Sequence, residues 1–228
     1  MTPSAKPVQA TQSTPSEREL SRLEALSTGI ARSLINAMEA KSPYLRGHSE
    51  RVAAMAATIA AELQLDDDAI EQIRLAGRLH DVGKIGIREE VLNKPGPLTA
   101  EEMAHVRDHV RIAMDILAPL AHLGPVIDFV HEHQERGDGS GYPRALRGEA
   151  ISLGGRIIAA ADAFDALTSP RSYRTRMEPQ EALDYFAKHG EAAMDPAVLV
   201  ALRKVVSSGR TLTFLDDASP AAAPPPGR

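Results

Sequence analysis

Apolar residues recur at three- and four-residue steps along most of this 228-residue chain, and no stretch alternates apolar and polar residues as a half-buried strand would. Turn and capping residues divide the pattern into segments. Thr99 and Glu102, for example, form the Thr-x-x-Glu capping box that starts a helix. The sequence therefore predicts an all-α fold. We expect helices over residues 49–63, 69–80, 99–117, 125–135, 157–168, 179–190 and 196–206.

Both ends of the chain are of low complexity and carry several prolines, which predicts a disordered head over 1–15 and a disordered Pro/Ala-rich tail over 215–228. Residues 16–40 form an N-terminal helix with a narrow apolar stripe about three heptads long. The stripe comprises Leu20, Leu23, Leu26, Ile30, Leu34, Ile35 and Met38. It fits two arrangements: packing on its own domain, or pairing with a second copy of the chain as a homodimer.

Composition excludes several classes of protein. The chain has no cysteine, so disulfides, thiolate metal sites and cysteine nucleophiles are excluded. Its net charge is −5, whereas a protein that holds a polynucleotide along a broad face is usually basic. No run approaches the ~18 to 20 apolar residues that span a bilayer, and the first residues lack the apolar stretch of a signal peptide. We expect a cytoplasmic protein that contacts neither membrane nor polynucleotide.

A His-Asp pair, His80-Asp81, stands where an apolar helix meets Gly83 and Gly86. Adjacent side chains diverge on a helix, but at a helix end both can turn toward one ion. Imidazole suits iron, manganese, zinc and nickel, and a carboxylate can bridge two ions. Taken alone, the pair is a weak signal, and it is more typical of a capping Asp beside a buried His than of a metal site.

Two longer strings resemble the paired signatures of the HD-GYP domain family. Residues 80–87 read HDVGKIGI, the HD motif with the Gly-Lys-Ile-Gly-Ile extension of one subgroup, and residues 135–143 read ERGDGSGYP, most of the second signature HHExxDGxGYP. Residues 47–49, 94–96 and 161–168 also match. The resemblance covers residues 41–214 and implies an HD-domain helical bundle with the extended HD-GYP C-terminal helices.

The resemblance also implies a metal centre of two, sometimes three, ions, usually iron or manganese. The family's ligand positions fall on His48, His80, Asp81, His109, His133 and Asp162. Asp81 would bridge two of the ions. The second His of the family's motif falls on Gln134, whose amide oxygen is a weaker donor to a transition metal than an imidazole nitrogen.

Other positions match groups that the family places near its substrate. Lys84 would contact the scissile phosphate, and Tyr142 would stack on a guanine or bind a phosphate. The alternatives are an ordinary surface lysine and a tyrosine packed in a sharp turn. Arg171 and Arg174 would hold nucleotide phosphates, unless they form a solvated basic loop. Three carboxylates would support the site rather than bind metal. Asp165 would partner a metal ligand, and Glu135 and Asp138 would orient the glycine-rich loop.

Family members are bacterial signalling enzymes that hydrolyse cyclic di-GMP to pGpG, and often to GMP. We therefore expect a metal-dependent phosphodiesterase in which a metal-bridging hydroxide is the nucleophile, and in which Asp81 and Lys84 take part in catalysis. The glycine-rich loop at 138–143 also suggests a GGDEF-domain protein as a partner. One alternative is a phosphodiesterase for another cyclic dinucleotide. The other is a degenerate module that binds cyclic di-GMP or a cyclase without turnover, which the substitution at Gln134 favours.

Overall fold

The computed structural model describes residues 17–169, 176–189 and 193–209. Within these residues the chain forms ten α-helices and no strand, which confirms the predicted all-α fold. The helices are α1 (Glu17–Glu39), α2 (His48–Glu62), α3 (Asp67–Leu79), α4 (Glu89–Leu92), α5 (Ala100–Arg107), α6 (His109–Leu117), α7 (Pro125–Glu132), α8 (Leu153–Thr168), α9 (Pro179–His189) and α10 (Pro196–Ser207). Shorter 3₁₀ turns lie at Pro43–Leu45, Val82–Gly86, Ala118–Leu123 and Gly148–Ala150.

Capping side chains fix where several helices begin. Asp66 accepts a hydrogen bond from the Ala69 amide at the start of α3. Both bonds of the predicted capping box between Thr99 and Glu102 are present at the start of α5. Each such bond satisfies a helix-end amide that has no partner within the helix. The predicted start of α5 is confirmed, whereas α3 begins at Asp67, two residues before the predicted start at residue 69.

The single helix predicted over 99–117 is wrong, because the chain breaks into α5 and α6 at Asp108. The Asp108 amide is shared between the carbonyls of Ala104 and His105, and its carboxylate pairs with Arg111. As a result His109 opens a new helix. Two other limits differ: α7 ends at Glu132, short of residue 135, and α8 begins at Leu153, because Ser152 caps it through the Gly155 amide.

The hydrophobic core lies among α2, α3, α6, α7, α8, α9 and α10. Two glycines allow elements to approach at backbone distance. A Cβ on Gly77 would lie 2.8 Å from the Ala53 Cα, so α3 packs directly on α2. A Cβ on Gly83 would lie 1.9 Å from the His109 carbonyl oxygen, which is closer than any side chain permits. The turn after His80-Asp81 is thereby pressed against the start of α6.

The chain divides into two compact units, residues 1–33 and 34–228, and α1 contributes to both. In the first unit, Leu26 and Ile30 are exposed. In the second, Met38 is fully buried and Leu34 and Ile35 pack partly buried against the core. The predicted disordered head and tail lie outside the described residues. Among the residues that are described, no helix has both the length and the hydrophobicity needed to cross a membrane.

Candidate metal centre

The fold brings the predicted ligands together from five helices. They lie at helix ends: His48 opens α2, His80 and Asp81 follow α3, His109 opens α6 and His133 follows α7. Asp162 comes from within α8. Asp162 is partly exposed, and the other five side chains are buried. The cluster thus joins residues up to 114 positions apart in a site that opens to solvent on the Asp162 side.

Three of the imidazoles are oriented by their own helices. The Nδ1 atoms of His80, His109 and His133 lie 2.7 Å from the carbonyl oxygens of Gly77, Val106 and Val130, in each case three residues earlier. Because a carbonyl oxygen only accepts, each Nδ1 donates its proton and the lone pair of the neutral ring is on Nε2. All three rings therefore present Nε2 to the cluster, as metal-ligating histidines do.

The part of the cluster around His48 and Asp162 is rich in carboxylates, and we call it the carboxylate end. His48 Nε2 lies 3.2 Å from Asp81 Oδ2 and 3.4 Å from Asp162 Oδ1, and its Nδ1 lies 2.7 Å from Asp165 Oδ2. Burial acts to lower the pKa of His48, but the hydrogen bond to Asp165 and the nearby carboxylate of Asp81 outweigh it and raise the pKa to about 9. This imidazole is therefore held as a cation at neutral pH when no metal is bound.

The part around His109 and His133 is different, and we call it the imidazole end. Their Nε2 atoms lie 3.3 Å apart, and His109 Nε2 lies 3.6 Å from Asp81 Oδ1. Burial lowers the pKa of His133 to about 3, and the nearby rings of His80 and His109 add to the effect. Two lone pairs thus face each other where neither ring readily takes a proton.

These residues fit a divalent metal on the chemistry of their donor atoms. Among the described residues, the buried atoms His48 Nε2, His80 Nε2 and Asp81 Oδ1 have no hydrogen-bond partner. Leaving such atoms unpaired costs about 1 to 3 kcal/mol each, which a bound cation would recover. Two groups of three have ligand atoms within 4.8 Å of one another: His48, His80 and Asp162, and His80, Asp81 and His133.

Asp81 lies between the two ends. Its carboxylate approaches His48 and His80 through Oδ2 and His109 through Oδ1, as the predicted bridging role requires. Lys84 Nζ also lies 2.5 Å from Asp81 Oδ2. Burial acts to raise the pKa of Asp81, but the Lys84 ammonium and the adjacent His80 ring hold it well below its usual range. The carboxylate is therefore ionised and available to a metal.

Gln134 stands at the edge of the carboxylate end. Its amide nitrogen donates to Asp162 Oδ2 at 3.4 Å, and its backbone carbonyl accepts from the Tyr142 amide at 3.1 Å. The side chain is half-buried. A metal contact by Gln134 would use the oxygen of the same amide. The predicted ligand role of Gln134 stays a prediction.

The glycine-rich loop places Tyr142 beside the imidazole end. The Tyr142 ring lies edge-on to the His109 ring, with centroids 6.3 Å apart, and the Arg107 guanidinium lies 5.2 Å from its centroid. A Cβ on Gly141 would lie 2.4 Å from the Arg136 amide nitrogen, so only glycine allows this close turn. Burial raises the pKa of Tyr142, which keeps the phenol protonated.

The predicted supporting carboxylates lie behind the cluster or in the loop. Asp165 bonds His48 as described, whereas Glu135 accepts from the amides of Arg144 and Leu146, and Asp138 from Ser140. Glu135 and Asp138 therefore hold the loop, as expected. Arg171 and Arg174 lie outside the described residues, so their predicted contacts with phosphate are not placed.

Three residues near the site had no signal that assigned them a role. Arg51 pairs with Asp165 through two nitrogens, at 2.6 and 3.1 Å. Glu39 accepts from the amides of Gly47 and Ser49, at 2.7 and 3.1 Å, and so grips the backbone on both sides of His48. Lys41 donates to the carbonyls of Ile85 and Ile87, just past Lys84. All these partners except Gly47 and Ser49 are distant in sequence, and no local pattern marks the pairs.

Comparisons with known proteins show the family of this chain. The family model described as HD domain matches residues 32–198. The 3'3'-cGAMP-specific phosphodiesterase 3 of Vibrio cholerae is 40% identical over 170 residues, which are 75% of this chain and 37% of the relative. The cyclic di-GMP phosphodiesterase of Thermotoga maritima is 38% identical over 162 residues, 69% of this chain and 44% of the relative. The chain thus spans less than half the length of these two relatives.

The fold has a counterpart among solved structures. Bd1817, a HDG"Y"P protein from Bdellovibrio bacteriovorus, superposes with a TM-score of 0.61 at 18% identity, over 73% of this chain and 53% of that protein. At this identity the likeness concerns the fold alone. It agrees with the predicted helical bundle.

Proposed function

Because this chain belongs to the HD domain family, we propose that it is a metal-dependent phosphodiesterase that hydrolyses a cyclic dinucleotide, with cyclic di-GMP as the leading substrate. The observation that carries the proposal is the buried His/Asp cluster. In it, His48 Nε2, His80 Nε2 and Asp81 Oδ1 have no hydrogen-bond partner, and two groups of three donor atoms lie within 4.8 Å of one another. The named activities of the two relatives support the same reaction class.

The residues would hold two divalent ions, for which iron or manganese is proposed. His48, His80 and Asp162 would bind at the carboxylate end, and His109 and His133 at the imidazole end, with Asp81 shared. Bound ions of this kind neutralise a phosphodiester, lower the pKa of water and stabilise the departing oxygen. Water can therefore supply the nucleophile, which fits a chain without cysteine.

The chain's own groups would orient the substrate around the cluster. The Lys84 ammonium is half-buried beside Asp81, where it can donate to a phosphate oxygen. The Tyr142 phenol is protonated and can donate to a second oxygen or pack against a base. Asp165 would keep the His48 ring in place during the reaction, because it accepts a hydrogen bond from His48 Nδ1 and is itself held by Arg51. Arg171 and Arg174 are proposed to bind the remaining phosphate charge.

A second substrate is favoured by a specific finding, since one relative is named as specific for 3'3'-cGAMP. Cyclic di-GMP and 3'3'-cGAMP share the phosphodiester that the cluster would act on and differ in one base. The non-catalytic alternative is less well supported, because the chain keeps all six His and Asp positions of the family's ligand set, and donor atoms among them converge in two groups of three.

Two protein partners belong to the proposal as well. A second copy of the chain would pair through α1, where Leu26 and Ile30 are exposed. A GGDEF-domain protein would contact the glycine-rich loop, where Ser140 and Pro143 are exposed.

The test is metal analysis of anaerobically purified protein together with turnover of cyclic di-GMP and 3'3'-cGAMP, followed by chromatography. We expect about two ions per chain and hydrolysis that depends on iron or manganese. Hydrolysis of 3'3'-cGAMP alone would favour the second substrate. Tight binding of cyclic di-GMP without turnover under either metal would instead establish a binding module.

A further inference from the structure

A cavity of about 660 Å³ opens beside Lys84. Its volume is within the range of small-molecule sites. The walls are mainly apolar, and the residues that matter here are Tyr44, Lys84, Lys94, Leu98, Met103 and Val106. None of the roles described above requires this cavity.

Two of its walls belong to residues that also touch the metal centre. Lys84 lines the cavity and lies 2.5 Å from Asp81 Oδ2. Val106 lines it as well, and its carbonyl oxygen receives Nδ1 of His109. When the phosphate of a substrate lies at the metal centre, another part of the same molecule can therefore reach this cavity.

The lining suits a flat, partly polar ring system. Tyr44, Leu98 and Met103 offer an aromatic ring, an aliphatic side chain and a thioether, which pack well against the faces of a base. Lys94 adds a cation in the wall. Its Nζ gives one bond to Glu102 at 2.6 Å, and an ammonium has three protons to donate. Purine N7, and O6 in guanine, accept such bonds.

We infer that this cavity binds one purine base of the cyclic dinucleotide, with Lys84 standing between that base and the phosphate. The inference rests on the proposed function and deepens it, because it assigns the base to a part of the molecule separate from the metal ligands. Binding a base here would select nucleotides over simple phosphodiesters.

The first test narrows the cavity with Met103→Trp. Met103 is 41% exposed on α5, so added bulk need not disturb the core. We expect kcat/KM for cyclic di-GMP to fall roughly tenfold further than kcat/KM for bis(p-nitrophenyl) phosphate, which has no base. The matched control is Val200→Trp: Val200 is 53% exposed on α10 and lines a different hollow, so both substrates should be unaffected. Equal losses for the two substrates in Met103→Trp, or no loss in either, would overturn the inference.

The second test does not depend on turnover. Wild-type protein with ¹³C-labelled methionine methyl groups is loaded with diamagnetic Zn²⁺ and titrated with GMP or with inorganic phosphate, and the Met103 signal is assigned with Met103→Leu. We expect GMP, but not phosphate, to shift the Met103 methyl resonance in a saturable way. A shift with both ligands, or with neither, would refute the base site. Failure to hydrolyse any cyclic dinucleotide would instead refute the proposed function, whatever the Met103 signal does.

Discussion

Each end of the metal centre contains a buried histidine, but the two histidines lie in opposite electrostatic environments. At the carboxylate end, two hydrogen-bonded carboxylates raise the pKa of His48 to about 9 despite its burial. At the imidazole end, burial and neighbouring rings lower the pKa of His133 to about 3. Burial is common to both, so the difference comes from the partners.

This contrast indicates how each end exists without metal. The carboxylate end can hold a proton on His48, and this positive charge takes the place of a metal ion by offsetting part of the negative charge of Asp81, Asp162 and Asp165. The imidazole end has no such substitute, because its two Nε2 lone pairs face each other 3.3 Å apart in a buried site. The two ends should therefore respond differently to the loss of a ligand.

Removing the residue that both ends share should have the largest effect. Asp81→Ala would take away the carboxylate that approaches His48, His80 and His109, and two bound cations would lose the negative charge between them. We expect metal loading and hydrolysis to be lost together, with turnover down at least about a thousandfold. Elemental analysis and chromatography measure both. Asp115→Ala, which removes an exposed carboxylate on α6, is the control; near-normal turnover in Asp81→Ala would contradict the shared role.

Removing one imidazole from each end separates them. His48→Ala and His133→Ala should each lose about one bound ion. In chelator, however, His48→Ala should also destabilise the protein by about 3 kcal/mol, because it removes the cation that lies among Asp81, Asp162 and Asp165 and leaves their charges only partly compensated. His133→Ala removes a neutral ring and should cost clearly less. Thermal unfolding in chelator measures the difference, and equal losses of stability would show that the two ends are alike.

Weakening the support of one end should give a smaller effect. Asp165→Asn keeps the shape but removes the charge that holds His48 Nδ1 and Arg51. We expect metal affinity to fall about 10- to 100-fold, as is usual for a lost partner of a ligating histidine. Competition with a metal chelator measures it. Asp184→Asn, an exposed carboxylate on α9, should behave like wild type. An unchanged affinity in Asp165→Asn would mean that His48 is oriented by other contacts.

The smallest effect is expected at Gln134, which borders the carboxylate end. Gln134→His would place an imidazole where the chain has an amide 3.4 Å from Asp162 Oδ2. We expect metal retention or turnover at limiting metal to rise about fivefold, on the order of 1 kcal/mol. The ratio of metal to protein and the rate at limiting metal decide it. Lower values for both would show that the site is tuned to Gln134.

Sequence patterns predict local features of this molecule better than long-range ones. The capping residues Asp66 and Thr99 mark helix starts because their partners lie three residues away. The break at Asp108 was missed, because it depends on two finely balanced contacts. The Asp108 amide is shared between two carbonyls, and the Asp108 carboxylate is bonded by Arg111. Local patterns cannot settle such competition.

The site shows the same limit. The resemblance to HD-GYP proteins named the six residues that the fold brings together, whereas helical periodicity alone placed none of them at a common point. The roles of Glu39 and Arg51 were not predicted, because nothing beside them in the sequence indicates Ser49 or Asp165 as their partners. The cavity beside Lys84 was also missed, since its walls come from several separate segments.

The contact at Gly83 bears on how this protein can change over evolutionary time. The turn that carries Asp81 meets the start of α6 through backbone atoms, with the space for a Cβ already filled by the His109 carbonyl. The spacing between two metal ligands is therefore set by the main chain and not by the packing of particular side chains. Core residues such as Val82 and Ala113 can drift to others of similar volume while that spacing persists, whereas position 83 has no neutral alternative. One contact between backbone atoms thus allows much of the surrounding sequence to diverge.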